Sequence, residues 1–275
     1  MPELPEVEVT RLGIAPPLVG ARLEKVVMRT PRLRYPMPEG LEALAGGRAL
    51  QAVDRRGKYL LLDFGVGRVL LHLGMSGSLR LVPASTPAAK HDHVDLLFAR
   101  AGRTVVLRLH DPRRFGALLW VAGDPAAHPL LAVLGIEPLG PDFTPRWLHR
   151  RTRGVATAIK PVLMDSHRLV GVGNIYASES LFRAGIDPRT PAGRLSPARC
   201  ERLVAAVRET LREAIEAGGS SLRDFSHSDG GSGHFQLQAA VYDRAGEPCR
   251  RCGSAIRALR QAQRATYYCP RCQRV

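Results

Sequence analysis

Four cysteines near the end of the chain, Cys249, Cys252, Cys269 and Cys272, form two C-x2-C pairs with 16 residues between them. Thiolates at this spacing make a tetrahedral donor set for zinc, and four cysteine ligands leave no open coordination position. The expected ion is therefore one structural Zn2+ per chain. From Val241 onward the same region carries eight arginines against Asp243 and Glu247, a balance suited to phosphate contacts. At the other end the chain begins Met-Pro-Glu-Leu-Pro-Glu-Val-Glu. A small second residue permits removal of the initiator methionine, which would leave Pro2 with a free secondary amine. An α-amino group titrates near pH 8 against about 10.4 for lysine, so at neutral pH about one in ten is unprotonated and able to attack a sugar carbon and form an imine. Taken alone the dipeptide carries little weight, because most processed N-termini are solvated and inert.

These residues need elements to hold them. Residues 3–19 read as a helix, with Pro5 fitting a first turn, Glu6 and Glu8 meeting the positive end of the helix dipole, and Gly20 as the stop. From about Ala49 to Val121 the texture changes to short runs such as KYLLLDF, RVLLHLG, HVDLLF and TVVLRL, separated by the turn signals FGVGR and RAGR. That pattern predicts an antiparallel sandwich or barrel. The segment PLGPDFTP, residues 138–145, predicts a domain linker. Beyond it the pattern is helical: Ser196 and Pro197 start a helix in which Leu203, Val204, Val207, Leu211 and Ile215 recur at helical spacing up to Gly218 and Gly219. Residues 219–237 are rich in Gly, Ser and His and predict a long loop, which a functional lid or a tolerated insertion would explain equally well.

Composition narrows the partner. Lys and Arg number 40 against 25 Asp and Glu, a formal charge of +15 with a sequence pI near 10.6, so an extended polyanion is expected, nucleic acid before an anionic membrane. No stretch approaches the roughly 18 uncharged apolar residues of a membrane span, and the acidic N-terminus lacks a signal-peptide pattern, so the expected location is the cytosol. Paired C-x2-C motifs fit a reducing compartment, with Cys200 left over as a free helical thiol. Up to here a zinc-ribbon nucleic-acid binder accounts for everything.

The blocks PELPEVE, RRGKYLLL, HLGMSGSLR, KHDHVD, DPRRFGA, AIKPVLMD, VGVGNIYASESLF and QRATYYC, spread from residue 2 to residue 269 and closed by the last C-x2-C pair, together resemble the formamidopyrimidine-DNA glycosylase family. The resemblance implies an α+β multidomain chain: an N-terminal helix plus antiparallel β-sandwich (1–137), a linker (138–145), a helix-two-turn-helix DNA-binding domain with a lesion-covering loop at 219–237 (146–240), and a zinc ribbon (241–275), with DNA bound in the cleft between. It further implies that Pro2 is the imine-forming nucleophile, Glu3 the neighbouring acid-base carboxyl, and Lys58 a lysine linked to β-elimination. Met75, Arg113 and Phe115 match the side chains that fill the duplex where the damaged nucleotide leaves, a role that apolar wedges and a guanidinium suit. Asn174 and Arg264 match phosphate clamps, Arg264 also serving δ-elimination, and His91 and Lys160 match DNA contacts. His93, two residues on, would share a strand face with His91 and is read as structural. Five residues before Lys160, where the family is often basic, stands Val155, and Arg153 is the expected substitute. The implied activity is excision of oxidised purines from duplex DNA followed by abasic-strand cleavage, by a monomer at the nucleoid. Two rivals are the sibling branch that acts on oxidised pyrimidines and a zinc-ribbon DNA-binding protein without catalysis.

Overall fold

The structure, a computed structural model, describes residues 2–219 and 239–275, so the loop expected at 219–237 lies, except for Gly219, outside the described residues. The chain divides into two compact units, Met1–Ala132 with Gly218–His234, and Val133–Ala217 with Phe235–Val275.

In the first unit, helix α1 (Leu4–Leu18) is followed by β1 (Arg22–Met28), α2 (Leu41–Ala45), β2 (Ala52–Arg56), β3 (Tyr59–Asp63), β4 (Arg68–His72), β5 (Ser78–Pro83), β6 (Asp92–Arg100), β7 (Arg103–His110), β8 (Ala117–Val121) and α3 (Pro129–Ala132). The strands form two four-stranded antiparallel sheets, ordered β1-β6-β7-β5 and β2-β3-β4-β8. Alternation supplies the inward faces. Leu60 and Leu62 from one sheet and Leu96 and Phe98 from the other enter a single core, joined by Ile14 and Leu18 of α1, and burial of such side chains is the main stabilising term. The expected sandwich is thus present, with one strand the alternation did not reveal. In β1, RLEKVVM, only Leu23 is fully buried, and its charged residues hide the pattern that pairing with β6 imposes.

The second unit contains α4 (Pro145–Thr152), α5 (Ile159–Leu163), α6 (Asn174–Ala184), α7 (Pro197–Glu216) and the hairpin β9 (Arg257–Gln261) and β10 (Arg264–Tyr268). Helix α7 starts as its sequence predicts: the Ser196 hydroxyl accepts from the Arg199 amide at 3.3 Å, satisfying one of the amides that a helix start leaves unpaired. Its buried stripe runs through Leu203, Val204, Val207 and Leu211, and then Ala214 in place of the half-buried Ile215. Within 138–145, Phe143 is fully buried and Thr144 caps α4, while Arg208 donates to the Gly140 and Phe143 carbonyls at 2.7 and 3.1 Å. Cys200 is buried on α7. Among the described residues no helix is long and apolar enough to cross a membrane.

Candidate functional site

The first turn of α1 fixes the chain start. Glu3 is its N-cap and forms a capping box with Glu6, whose carboxylate accepts from the Glu3 amide at 2.7 Å. Pro2, Glu3 and Glu6 are all buried. Gly219, with a φ of 80°, comes so close that an added Cβ would lie 3.2 Å from a Glu6 carboxylate oxygen.

Lys58 occupies the second position of a two-residue turn between β2 and β3, and Gly57 takes the left-handed φ of 57° that this turn demands at its first position. The turn is tied to α1 through Glu8. Its carboxylate binds Arg11 at 2.7 Å and Arg55 at 2.8 Å, and Arg55 in turn donates to the Gly57 carbonyl at 2.9 Å. Burial pushes the Glu8 carboxyl up, but the hydrogen bonds from Arg11 and Arg55 outweigh it and hold the group below its ordinary range. Next to Lys58, His72 has its pKa lowered to about 4 by burial first and by the nearby Lys58 and Arg34 charges second. Its Nδ1 accepts from the Gly74 amide at 3.0 Å, as a neutral imidazole does.

Met75 lies in the turn after β4, and Arg113 and Phe115 lie in the turn before β8. Met75 is 38% and Phe115 50% exposed, unusual for large apolar side chains, and Arg113 donates to the Met75 carbonyl at 3.4 Å. Gly74 allows the two turns to touch, since a Cβ there would sit 2.4 Å from the Phe115 carbonyl carbon. His91 and His93 do not share a strand face. His91 precedes β6 with a φ of 76°, and the β6–β7 register shifts between Asp92 and Val94. Their rings still approach at 6.3 Å, and His93 is buried with Nε2 3.0 Å from the Asp111 carbonyl. The segment leading to His91 is held by buried charge: Asp92 accepts from the Ala89 amide, and Arg108, paired with Asp95 at 2.7 Å, donates to the Thr86 and Pro87 carbonyls.

In the second unit, the Lys160 ammonium is buried and donates to Asn174 Oδ1 at 2.6 Å, Thr266 Oγ1 at 2.8 Å and the Ala265 carbonyl at 3.0 Å. An ammonium has three donors, and all three have protein partners here. The interaction joins Asn174, the first residue of α6, to Ala265 and Thr266 of β10, the residues that follow Arg264. Asn174 accepts through its carbonyl, which leaves its amide hydrogens to donate. Arg264 is exposed and lines, with Lys160, Pro161, Met164, Gln261 and Ala262, an open cavity of about 230 Å³. Arg153 lies apart from this network, its guanidinium donating to the Leu195 carbonyl at 2.7 Å and the His149 carbonyl at 3.3 Å.

The four sulfurs of Cys249, Cys252, Cys269 and Cys272 lie within 4.8 Å of one another, with Cys249 to Cys272 at 3.9 Å and Cys252 to Cys269 at 3.5 Å. A tetrahedral zinc with bonds of about 2.3 Å requires sulfur separations of about 3.8 Å, so the donor set fits. Burial and the neighbouring sulfurs push Cys272 up to about 12, and a dication held among the four sulfurs would favour its thiolate.

Two buried acids had no role in the sequence reading. Glu179 on α6 accepts from the amides of Ala240, Val241 and Tyr242 at 2.8, 2.9 and 2.8 Å, tying α6 to the chain that enters the cysteine module. Asp111 is fully buried between the turns that carry Met75 and Phe115. In the sequence Glu179 stands between two serines and Asp111 between a histidine and a proline, settings too common to single either out.

Two outcomes are expected. Purified protein holds one zinc per chain, and Cys249→Ser or Cys269→Ser loses the metal and DNA binding while the circular dichroism of the sandwich persists; a fully active, metal-free preparation would contradict this. His72 is neutral in the fold with a pKa near 4 against 6.5 when unfolded. The unfolded state therefore binds more protons in that window, and stability declines as pH falls from about 6.5 to 4. His72→Asn, which keeps an acceptor for Gly74, should flatten that part of the denaturation-midpoint profile; identical slopes would contradict it.

The formamidopyrimidine-DNA glycosylase N-terminal domain matches residues 1–118, the formamidopyrimidine-DNA glycosylase H2TH domain residues 134–226, and the zinc finger found in FPG and IleRS residues 246–275. The formamidopyrimidine-DNA glycosylase of Aromatoleum aromaticum is 59% identical over 100% of both chains. Among solved structures, the MutM (Fpg) protein of Thermus thermophilus is 42% identical with a TM-score of 0.86, covering 99% of this chain and 98% of that one. The Lactococcus lactis Fpg (MutM), in complex with Fapy-dG-containing DNA, is 33% identical with a TM-score of 0.88, covering 99% of this chain and 100% of that one. With its sandwich, its helical H2TH region and its four-cysteine zinc module, the chain belongs to the formamidopyrimidine-DNA glycosylase family.

Proposed function

We propose that this protein is a base excision repair enzyme that removes oxidised purines, chiefly 8-oxoguanine and formamidopyrimidines, from duplex DNA and then cleaves the abasic strand. The observation that carries this reading is the buried Pro2-Glu3 start on a capped helix N-terminus, in a chain that matches glycosylases over its full length. Once Met1 is removed, the Pro2 nitrogen lone pair attacks the sugar C1′ as the base departs with its bonding electrons. The nitrogen passes its proton to the departing base, Glu3 protonates the ring oxygen as the bond from C1′ to that oxygen breaks, and the opened deoxyribose is left joined to Pro2 as an imine in its cationic, iminium form. The imine acidifies the C2′ proton. Its loss expels the 3′ phosphate, a second elimination expels the 5′ phosphate, and hydrolysis returns the amine. Lys58 assists the first elimination and Arg264 the second.

Met75, Arg113 and Phe115 occupy the space that the extruded nucleotide leaves, which their exposure supports. Asn174 and Arg264 hold the flanking phosphates, with His91 as a further contact and Arg153 in place of a basic residue at Val155, while the buried Lys160, expected as a DNA contact, acts by holding Asn174. Zinc, when bound, would offset half the charge of the four thiolates and close the ribbon. On this reading residues 1–137 are the catalytic domain, 138–145 the linker, 146–240 the helix-two-turn-helix domain with its lesion-covering loop at 219–237, and 241–275 the zinc ribbon. The enzyme works as a monomer on nucleoid DNA in the cytoplasm.

Glu3→Gln tests the assignment. General acid catalysis is worth about 10² to 10⁴ in rate, so 8-oxoguanine release should fall by at least about 10²-fold. Cleavage of a preformed abasic site, whose sugar already opens to an aldehyde, should fall far less. Equal losses on both substrates would refute the role of Glu3. A wild-type protein that releases oxidised pyrimidines but no oxidised purine would favour the sibling branch, and one that binds lesion DNA without cleaving it would leave only the binding module.

A further inference from the structure

Met75, Arg113 and Phe115 project from two tight turns, and an exposed side chain on a turn has little packing of its own to hold it. Their aim must come from the backbone beneath. Both turns carry left-handed residues, Gly74 with a φ of 64° and Arg114 with a φ of 53°, and His91 beside them has a φ of 76°. For a non-glycine residue such a conformation persists only where its surroundings impose it.

The surroundings converge on Asp111, which is fully buried. One carboxylate oxygen accepts from the Ser76 hydroxyl at 3.2 Å, beside Met75, and the other from the Gly116 amide at 2.8 Å, beside Phe115. Its main chain is equally committed. The Asp111 amide donates to the His91 carbonyl at 3.0 Å, and its carbonyl accepts from the Arg114 amide at 3.2 Å and faces His93 Nε2 at 3.0 Å. Glycine at 116 is required by this arrangement, since a Cβ there would lie 2.9 Å from the Asp111 carboxylate and 2.8 Å from the His72 carbonyl. Among the described residues no basic side chain forms an ion pair with Asp111.

We infer that Asp111 is a positioning residue: it staples the turn of Met75 to the turn of Arg113 and Phe115, so that the three side chains enter the duplex as one preset unit. The inference rests on the proposed excision of a base from duplex DNA. A carboxylate suits the task because it presents two acceptors to two donors on different segments. An asparagine of the same shape can still accept from the Gly116 amide while its NH2 donates to the Ser76 hydroxyl, whereas alanine can do neither and leaves the buried Gly116 amide unpaired.

The test compares Asp111→Ala, Asp111→Asn, Ser76→Ala, Phe115→Ala and the Asp111→Ala/Phe115→Ala double variant. Misplacing reacting or wedging groups by about 1 Å costs about 10²-fold in rate, so Asp111→Ala should slow single-turnover 8-oxoguanine excision by about that factor. Cleavage of a preformed abasic site in single-stranded DNA, which needs no wedge, should fall by less than about fivefold. Asp111→Asn should stay within about fivefold of wild type, and Ser76→Ala should fall between the two variants. The double variant should lose less than the product of the two single losses, because part of what Asp111 does is done through Phe115. Independently of DNA, trypsin should cut after Arg113 and Arg114 about tenfold faster in Asp111→Ala than in wild type, with other sites unchanged.

Multiplicative losses in the double variant, equal losses on both substrates, or unchanged tryptic cutting would overturn the inference. If Asp111→Ala does not fold, Ser76→Ala and Asp111→Asn still decide it: wild-type excision by Ser76→Ala, or a collapse of excision in Asp111→Asn, would overturn it. Phe115→Ala excising like wild type would count against the wedge in the proposed function, and faster cutting of Asp111→Ala in the same experiment would show that the staple itself is intact.

Discussion

A chain's first amine has one covalent tether, so using it as a nucleophile requires its position to come from the element that begins immediately after it. In this protein that element is α1. Its capping box between Glu3 and Glu6 satisfies the amides that a helix start leaves open, and its apolar face enters the sandwich core through Val7, Ile14 and Leu18. The same helix reaches sideways through Glu8 to Arg55 and the Lys58 turn. Pro2, Glu3 and Lys58 are thereby referred to one rigid body, and the sandwich below serves to keep that body still.

The second unit meets a similar requirement with buried charge. Lys160 donates to three neutral acceptors, and losing any of them is costly because an unsatisfied buried ammonium is penalised. Its acceptors belong to α6 and β10. Glu179 makes the complementary bond, giving its carboxylate to three successive amides ahead of the zinc module. One cation and one anion thus set a helix start and a β-hairpin in register, and the four cysteines close the hairpin's far end.

The parts of the fold that were readable in the sequence are those whose signal is local. Paired cysteines, the Ser196-Pro197 cap, the apolar stripe of α7 and the short apolar runs of β3, β4 and β7 each declare themselves within a few residues. Strand β1 did not, because RLEKVVM draws its structure from its pairing with β6 and buries only one side chain fully. His91 and His93 were read by strand alternation, which fails where the chain turns left-handed and the register shifts. Asp111, Glu179 and the enclosure of Lys160 depend on partners 35, 61 and 106 residues away, and no window of sequence shows them. Site residues such as Met75 and Phe115 would pass for core residues by type. Their exposure is what sets them apart, and it is the ground on which the proposed role rests.

The central claim is that the secondary amine of Pro2 forms the covalent intermediate, and borohydride reduction during turnover of abasic-site DNA addresses it most directly. With Met1 attached, the nitrogen of residue 2 is a tertiary amide and has no basic lone pair to offer. Intact mass and peptide mapping of the trapped adduct should therefore show a chain that begins at Pro2 and carries the sugar on that residue. Full turnover by protein that retains Met1, or an adduct that maps to Lys58 in the unmutated enzyme, would contradict the account.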